Sequence, residues 1–456
     1  MRGALVVAWL AMVGCGPAGG RDGSHAGGSS GAGGAGGAGG SAGSGGLPNS
    51  GGPTFASMCN GMPTTITGNV MAPNGVDPIA NAFAYVPAST GQFPAGVACD
   101  LCGMPIDGEA AQAITDPDGH FSIDISALPA SSQLPFTVNK GRFRRQTMIP
   151  IQACQENSIG APHTVLPGKA GPGDDIPKIA IATGVQDALD EVLTAMGLDE
   201  TVGYDCFENR AKPGTMPVSP CEKRLAAQGS SAPQLTDLLK NESMLEQYNM
   251  VFISCAYGKY ATLSAADQAT ITANLQTWTQ KGGRLFATDR SYDYIAQAFP
   301  SAVGFMNGDG TVDAANVGVG SVQMPATYTG KVNDPTLLAW LVAVSAMQNG
   351  QTTLPLTGYL TQWSVVQSVP MSTVDVVDAT DAQVKSGTTT STGLYPQTVQ
   401  FDITPPGGNE ACGRAIFSSY HTLGAMQMVD ATSLTPQERI LEYLMFEAGA
   451  CVGTIS

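Results

Sequence analysis

Four residues that could carry out nucleophilic or acid–base chemistry follow short apolar runs in the second half of the chain. Cys255 ends one run, and Asp289 and Ser291 follow the next one. His421 ends a third run, GRAIFSSYH, and is the only histidine after residue 173. A cysteine or serine next to a histidine can act as a nucleophile with its base. Two alternatives therefore stay open: Cys255 with His421, and Ser291 with His421 and Asp289. Each requires an approach of about 3 Å and a set of oxyanion donors.

A predicted strand–helix–strand unit at residues 248–292 must position the first three of these residues. The apolar runs 250–254 and 284–288 suit buried strands. Between them, Ser264 caps a helix with an apolar stripe, and Gly282 and Gly283 end it. A right-handed crossover of this kind builds a parallel sheet, which binds ligands beyond the carboxyl ends of its strands.

Further units of the same kind extend this pattern over residues 174–456. A strand at 178–183 precedes a helix, residues 398–403 and 413–419 form a strand pair, and Thr435-Pro436-Gln437-Glu438 is a capping box that opens a last helix. The pattern predicts a mostly parallel, flavodoxin-like α/β domain.

The segments KIAIATG, LEQYNMVFISC, KGGRLFATDRSY and GRAIFSSYH together resemble the class I glutamine amidotransferase-like fold, especially its trehalose-utilisation-type branch. In that family a nucleophilic cysteine sits in the turn after the strand that here ends FATDRSY. This chain has Asp289, Arg290 and Ser291 there, whereas His421 matches the family's later histidine. The resemblance implies a degenerate enzyme, so we favour a non-catalytic role in binding or surface organisation. The alternative is a hydrolase or amidase that uses Cys255 or Ser291 with His421.

Residues 54–173 contain short β-rich runs and Gly/Pro turns without helical periodicity, which predicts a small all-β sandwich. The segments ITGNVMAPNG, NAFAYVP and ITDPDGHFSIDI resemble the carboxypeptidase regulatory-like, prealbumin-like family. That resemblance implies a seven-stranded sandwich without catalytic residues. Arg142 and Arg144 lie on one face of a strand and Arg145 on the other, and we expect this strand to be solvated.

No metal or cofactor is expected from the sequence. Asp116 and Asp118 form a two-carboxylate turn that lacks the further ligands calcium needs, and residues 307–313 match a calcium loop incompletely. The Cys99–Cys102 pair has no second pair to complete a zinc site.

Ten cysteines in an exported chain predict disulfides. We expect Cys206 to pair with Cys221 and Cys412 with Cys451, and Cys255 to stay free. Cys99 and Cys102 would then pair with the remaining two. The disulfide candidates are Cys59, Cys99, Cys102, Cys154, Cys206, Cys221, Cys412 and Cys451.

The N-terminus predicts the location. Residues 1–14 form a signal peptide, and Met12-Val13-Gly14-Cys15 resembles a bacterial lipobox, which implies that Cys15 carries a lipid anchor. Residues 15–53, rich in Gly, Ser and Ala, cannot bury a core and form a flexible tether. We expect a lipid-anchored cell-envelope protein, at the periplasmic or surface face of the outer membrane.

The charge distribution limits the partners. A formal net charge of -16 opposes non-specific binding to nucleic acid. The expected partners are the membrane, through the N-terminal lipid, and a small-molecule, peptide or glycan ligand that the sequence does not specify.

Overall fold

A computed structural model of the chain describes residues 52–89, 91–101, 108–184, 187–210, 220–255, 259–306, 319–320, 326–359, 363–386, 389–422 and 434–452. The predicted signal peptide, Cys15, most of the tether, Cys102 and the 307–313 loop lie outside these residues. The described residues belong to one compact unit, Ser44–Ser456. Among its described helices, none is both long and apolar enough to cross a membrane.

The first part of the chain forms a three-stranded sheet and a five-stranded sheet. Their elements are α1 (Phe55–Met58), β1 (Thr65–Asn69), β2 (Phe83–Pro87), β3 (Glu109–Ile114), β4 (His120–Asp124), β5 (Gln133–Lys140), β6 (Phe143–Pro150), β7 (Glu156–Ser158) and β8 (Asp174–Asp175). The sheet orders are β4-β1-β7 and β3-β2-β5-β6-β8. Phe121 of the smaller sheet stacks on Phe136 of the larger one with ring centroids 5.7 Å apart, so apolar side chains of both sheets share one core.

The expectation that the arginine strand is solvated is wrong. Arg142 and Arg144 are buried, and both guanidinium groups lie over the ring of Phe93, at 5.4 and 4.6 Å from its centroid. Arg144 also forms an ion pair with Asp175 at 2.7 Å. These partners come from segments distant in the sequence, so the strand's own pattern could not reveal them.

The rest of the chain builds a ten-stranded sheet with helices packed against it. The strands after β8 are β9 (Ile179–Thr183), β10 (Asp205–Glu208), β11 (Met250–Ile253), β12 (Arg284–Thr288), β13 (Gly304–Phe305), β14 (Val319–Gly320), β15 (Ala326–Val332), β16 (Thr353–Tyr359), β17 (Val366–Ser368), β18 (Thr373–Ser386), β19 (Thr389–Ile403) and β20 (Gly413–Ser418). The order in the large sheet is β10-β9-β11-β12-β20-β19-β18-β15-β16, with β14 added to β18. Strands β13 and β17 form a separate pair.

The helices that follow β8 are α2 (Leu189–Ala195), α3 (Pro220–Ala227), α4 (Leu235–Lys240), α5 (Glu242–Leu245), α6 (Ala265–Gln280), α7 (Asp293–Ala298), α8 (Pro335–Ala343) and α9 (Pro436–Gly449). Helices α6 and α9 start at the capping residues that the sequence predicts. The Ser264 side chain caps α6, and Thr435 and Glu438 form the complete capping box of α9. Ile271, Leu275 and Trp278 form the buried stripe of α6.

The large sheet is mixed, not mostly parallel as expected. Strands β10, β9, β11, β12 and β20 are mutually parallel, whereas β19, β18, β15 and β16 continue the same sheet in antiparallel fashion. The predicted pair of residues 398–403 with 413–419 is confirmed, since it corresponds to β19 and β20. Most strands of the antiparallel extension pair with their neighbours in sequence, since β18 and β19 form a hairpin and β15 pairs with β16, whereas β15 and β18 pair across the intervening residues.

Disulfides confirm part of the expected pairing and correct the rest. Cys206 bonds to Cys221 as expected, and Cys255 is a free, buried thiol. Cys412 bonds to Cys99 instead of Cys451. A further bond, Cys59–Cys154, joins two cysteines that we expected to pair elsewhere. The Cys99–Cys412 bond therefore ties the first part of the chain to the large sheet.

Candidate functional site

Three of the predicted site residues meet at the carboxyl ends of the parallel strands. Cys255 lies just beyond β11, Asp289 directly follows β12, and His421 lies just beyond β20. The register aligns these strands at the same edge of the sheet, because Ile253 pairs with Ala287 and Thr288 with Ser418. Adjacent parallel strands thus bring residues that are 166 positions apart, from 255 to 421, to one point.

The three side chains form a tight, buried cluster. Cys255, Asp289 and His421 are 1%, 0% and 2% exposed. Asp289 Oδ2 lies 3.6 Å from Cys255 Sγ and 2.9 Å from His421 Nε2. One donor atom from each residue lies within 4.8 Å of the other two. The donor atoms therefore converge on a common point.

The backbone around Asp289 explains its orientation. Asp289 has φ of 36°, a left-handed conformation that is uncommon outside glycine, in the sharp turn between β12 and α7. Its Oδ1 accepts a hydrogen bond from the backbone N–H of Ser364 at 2.6 Å. This contact leaves Oδ2 directed at Cys255 and His421.

The segment after β20 is held by a carboxylate that sequence reasoning missed. Asp187 is buried, and its Oδ1 accepts hydrogen bonds from the backbone N–H and the hydroxyl of Thr422, both at 2.9 Å. The hydroxyl of Thr288 donates to the other oxygen of Asp187. Asp187 follows β9 at the same edge of the sheet, so its position after a buried strand was the signal that could have identified it.

Ser291, the other candidate nucleophile, has a structural contact. Its hydroxyl donates to the backbone carbonyl of Ser254 at 2.8 Å, and Asn209 Nδ2 lies 3.4 Å from the same hydroxyl oxygen. Asn209 in turn accepts from the hydroxyl of Tyr294 at 3.1 Å. Because the Ser291 proton is donated to a carbonyl, this arrangement orients the turn and does not activate the hydroxyl.

Burial and the neighbouring charges set the protonation of the cluster. Burial and the negative charge of Asp289 raise the pKa of the Cys255 thiol to about 11, although His421 acts in the opposite direction. Burial lowers the pKa of His421, but Cys255 and Asp289 outweigh that effect and hold this pKa well above its ordinary value. The Asp289 carboxylate therefore favours the protonated form of both neighbouring groups.

The other acidic pair singled out in the sequence lies in a turn outside this cluster. Asp116 Oδ1 accepts hydrogen bonds from the backbone N–H groups of Asp118 and His120, at 3.0 and 2.9 Å. The turn joins β3 of one sheet to β4 of the other. Its carboxylate thus orders the connection between two sheets.

The geometry limits the chemistry of the cluster. In a nucleophilic triad the histidine lies between the nucleophile and the carboxylate, and uses one ring nitrogen for each. Here the carboxylate oxygen of Asp289 contacts both the thiol and His421 Nε2, while His421 also interacts with the thiol. Convergent sulfur, nitrogen and oxygen donors are instead an arrangement that can hold a proton or a cation.

No protein-family model matches this sequence, and no curated protein is significantly similar to it. Among solved structures, the chain is similar to a protein described as a GMP synthase subunit from Thermoplasma acidophilum, with 8% identity and a TM-score of 0.30, over 59% of this chain and 94% of that one. It is similar to a glutamine amidotransferase at 12% identity and a TM-score of 0.24, over 50% and 92%. It is also similar to the glutaminase domain of Trypanosoma brucei CTPS with bound acivicin, at 10% identity and a TM-score of 0.27, over 60% and 93%. These neighbours are glutamine amidotransferase-like, but at such scores the likeness says nothing about activity.

Proposed function

We propose that the chain is a lipid-anchored protein of the bacterial cell envelope whose α/β region binds a ligand without transforming it. The observation that carries this proposal is the residue after β12. Asp289 occupies the turn where the amidotransferases that the sequence resembles have their nucleophilic cysteine, and it is completely buried. A carboxylate in that turn cannot form the thioester on which amidotransferase chemistry depends.

The proposed architecture is a carboxypeptidase regulatory-like β-sandwich over residues 54–173 and an amidotransferase-like domain over residues 174–456. The shared core of the two N-terminal sheets supports the sandwich. Numbered along the chain, the five parallel strands of the large sheet occur in the order 2-1-3-4-5. This order supports a flavodoxin-like topology for the parallel half of the sheet.

The state of Cys255 also supports a non-catalytic role. A pKa raised to about 11 keeps the thiol protonated at neutral pH, and the thiolate is the nucleophilic form. Burial further denies a substrate access to the sulfur. The site therefore lacks the solvent-accessible surroundings of reactive cysteines.

A second candidate function is a hydrolase or amidase that uses Cys255 or Ser291 with His421. One observation favours it, namely that the fold brings Cys255 and His421 into one cluster with a carboxylate. Such an enzyme would need a conformational change that exposes the sulfur and releases its proton to His421.

The test uses the native host's membrane fraction. Intact mass is expected to show lipid on Cys15, and peptide mapping after iodoacetamide treatment of the native, non-reduced protein is expected to show slow alkylation of Cys255 at pH 7. The rate should rise tenfold per pH unit toward the thiol pKa, because only the thiolate reacts.

The matched variant is His421→Ala, with ligand capture on glycan and peptide arrays measured in parallel. Binding without chemistry predicts that Cys255→Ala and His421→Ala leave capture largely intact. Rapid alkylation of Cys255 at pH 7 that His421→Ala slows would instead establish the enzymatic alternative. An unmodified Cys15 in the membrane fraction would refute the anchor.

A further inference from the structure

We propose that Cys255, Asp289 and His421 form a binding site for one zinc ion. This inference goes beyond the proposed function, since it assigns a metal to a cluster that the sequence indicated only as a candidate nucleophile and base. One ligand atom from each of the three residues lies within 4.8 Å of the other two. Each donor comes from a different strand end, so the parallel sheet itself assembles the site.

The donor set selects the class of metal. A thiolate, an imidazole nitrogen and a carboxylate oxygen are the three kinds of ligand that zinc takes in proteins. Calcium and magnesium take oxygen ligands instead, so a set with one oxygen in three opposes both. Three protein donors among the described residues leave one position of a tetrahedral zinc for a further donor, such as water.

The distances are close to those of a tetrahedral site. With zinc–sulfur and zinc–oxygen bonds of about 2.3 and 2.0 Å, ligands at the tetrahedral angle lie about 3.5 Å apart for sulfur and oxygen, and about 3.3 Å apart for nitrogen and oxygen. Cys255 Sγ and Asp289 Oδ2 are separated by 3.6 Å, and His421 Nε2 and Asp289 Oδ2 by 2.9 Å. A small movement of the His421 ring away from Asp289 would complete the geometry.

The histidine presents a donor atom without a satisfied hydrogen bond. His421 is 2% exposed, and its Nε2 forms no aligned hydrogen bond among the described residues although it lies at ion-pair distance from Asp289. A buried polar nitrogen left in this way costs free energy, so native proteins supply a partner. A metal ion at the convergence point would satisfy Nε2 and the two other donors together.

The surrounding contacts orient the ligands as outer contacts do in known metal sites. Asp289 Oδ1 is held by the Ser364 N–H, which frees Oδ2 for a metal. The Ser364 carbonyl accepts from the hydroxyl of Ser419, so the residue that holds Asp289 is itself fixed to the segment after β20. The Gln437 side chain donates to the backbone carbonyl of His421.

The free state of Cys255 agrees with a role as a metal ligand. In the described part of the chain Cys255 is a free thiol, while six other cysteines form three disulfides. In an oxidising compartment an unpaired thiol is exposed to oxidation, and metal ligation is one role that retains a cysteine in this state.

The test uses full-length protein without a polyhistidine tag, treated with chelator and then titrated anaerobically with Co²⁺ in the absence of added thiols. One equivalent of Co²⁺ is expected to produce visible tetrahedral bands and a near-ultraviolet thiolate-to-cobalt band, and zinc should displace it. Cys255→Ser should abolish the thiolate band. His421→Asn and Asp289→Asn should each weaken binding at least about 100-fold, since even outer contacts contribute 10- to 100-fold.

The control is His120→Asn, because His120 is exposed on β4 outside this cluster. It should leave the titration unchanged. X-ray absorption of the zinc-loaded native chain, which needs no variant to fold, is expected to show one sulfur near about 2.3 Å and the remaining ligands near about 2.0 Å. A native chain that binds no stoichiometric metal, a first shell with no sulfur or with two, or a folded Cys255→Ser variant that keeps the thiolate band would each overturn the site. Metal binding is measured separately from ligand capture. A negative result in one measurement therefore does not affect the conclusion from the other.

Discussion

The side chain of Asp289 determines which chemical groups the turn after β12 presents. Its left-handed backbone sits in the turn between a parallel strand and a helix, where the side chain is directed over the carboxyl edge of the sheet. An ionised carboxylate at this position accepts hydrogen bonds and can ligate a cation, and it cannot form a thioester. The residue type in this turn therefore sets which contacts the carboxyl edge of the sheet offers to Cys255 and His421.

Glu191 on α2 carries a prediction of pH-dependent stability. Burial, reinforced by the charge of Asp190, raises its pKa from 4.5 to about 8, although Lys223 acts in the opposite direction. Its Oε2 has no hydrogen-bond partner among the described residues. The folded chain thus keeps a proton that the unfolded chain releases, so this group's contribution to stability is complete below pH 4.5 and is lost as the pH rises to about 8.

Glu191→Gln should consequently stabilise the protein more at high pH. We expect the free energy of unfolding to increase by about 1–3 kcal/mol at pH 8 and to change little near pH 4.5. Urea unfolding at both pH values measures this difference. Glu410→Gln, at an exposed position, is the control. A gain from Glu191→Gln that is equal at both pH values would show that burial of the charge is not its cause.

At the scale of elements, the end of β9 must approach the end of β11 very closely. A Cβ at Gly184 would lie 2.4 Å from the carbonyl oxygen of Cys255 and 2.8 Å from the Cβ of Ser254. The contacted oxygen is backbone, so it cannot rotate away. This close packing fixes the position from which Cys255 reaches Asp289.

Gly184→Ala is therefore expected to destabilise the protein by about 1–3 kcal/mol, because overpacking forces backbone shifts. It should also raise the iodoacetamide reactivity of Cys255, since the strand end that buries the thiol must move. Thermal unfolding and alkylation rates give the two readouts. Gly160→Ala is the matched control, since a Cβ there meets nothing within 4 Å. Unchanged stability and reactivity in Gly184→Ala would contradict this packing.

At the scale of the whole molecule, the N-terminal sheets are joined firmly to the large sheet. Lys140 forms an ion pair with Glu447 of α9 at 2.6 Å, and Trp340 Nε1 of α8 donates to the carbonyl of Pro78 at 2.7 Å. Cys99 and Cys412 add a covalent link across 313 residues. Residues 54–173 and 174–456 thus share polar and covalent contacts as well as apolar ones.

The Cys99–Cys412 disulfide should contribute more to stability than the Cys206–Cys221 disulfide. In the chain-entropy model a bond that closes 313 residues contributes about 6 kcal/mol, against about 3 kcal/mol for the 15-residue separation of Cys206 and Cys221. The double variant Cys99→Ser/Cys412→Ser should hence lower the melting temperature more than Cys206→Ser/Cys221→Ser does. Scanning calorimetry of both variants compares them directly. A larger loss from the short loop would indicate that native contacts, and not loop closure, dominate.

Local patterns in the sequence determined the positions of many helices and strands of this protein. Capping at Ser264 and Thr435 located the starts of α6 and α9, and buried apolar runs located β9, β11 and β12, because both signals act within a few residues. The site residues Cys255, Asp289 and His421 could be selected as well. Parallel strands present their carboxyl ends at one edge, so polar residues that follow such strands are brought together.

Only the tertiary structure decided the remaining features, since they depend on contacts between distant segments. The pairing of β15 with β18, the Cys99–Cys412 bond and the burial of Arg144 all need partners that are not neighbours in the sequence. The geometry of the site also depends on contacts between segments that are far apart in the sequence. Sequence suggested a nucleophile and a base, whereas packing placed the Asp289 carboxylate against both groups and buried all three, which converts a candidate catalytic pair into a convergent set of donors.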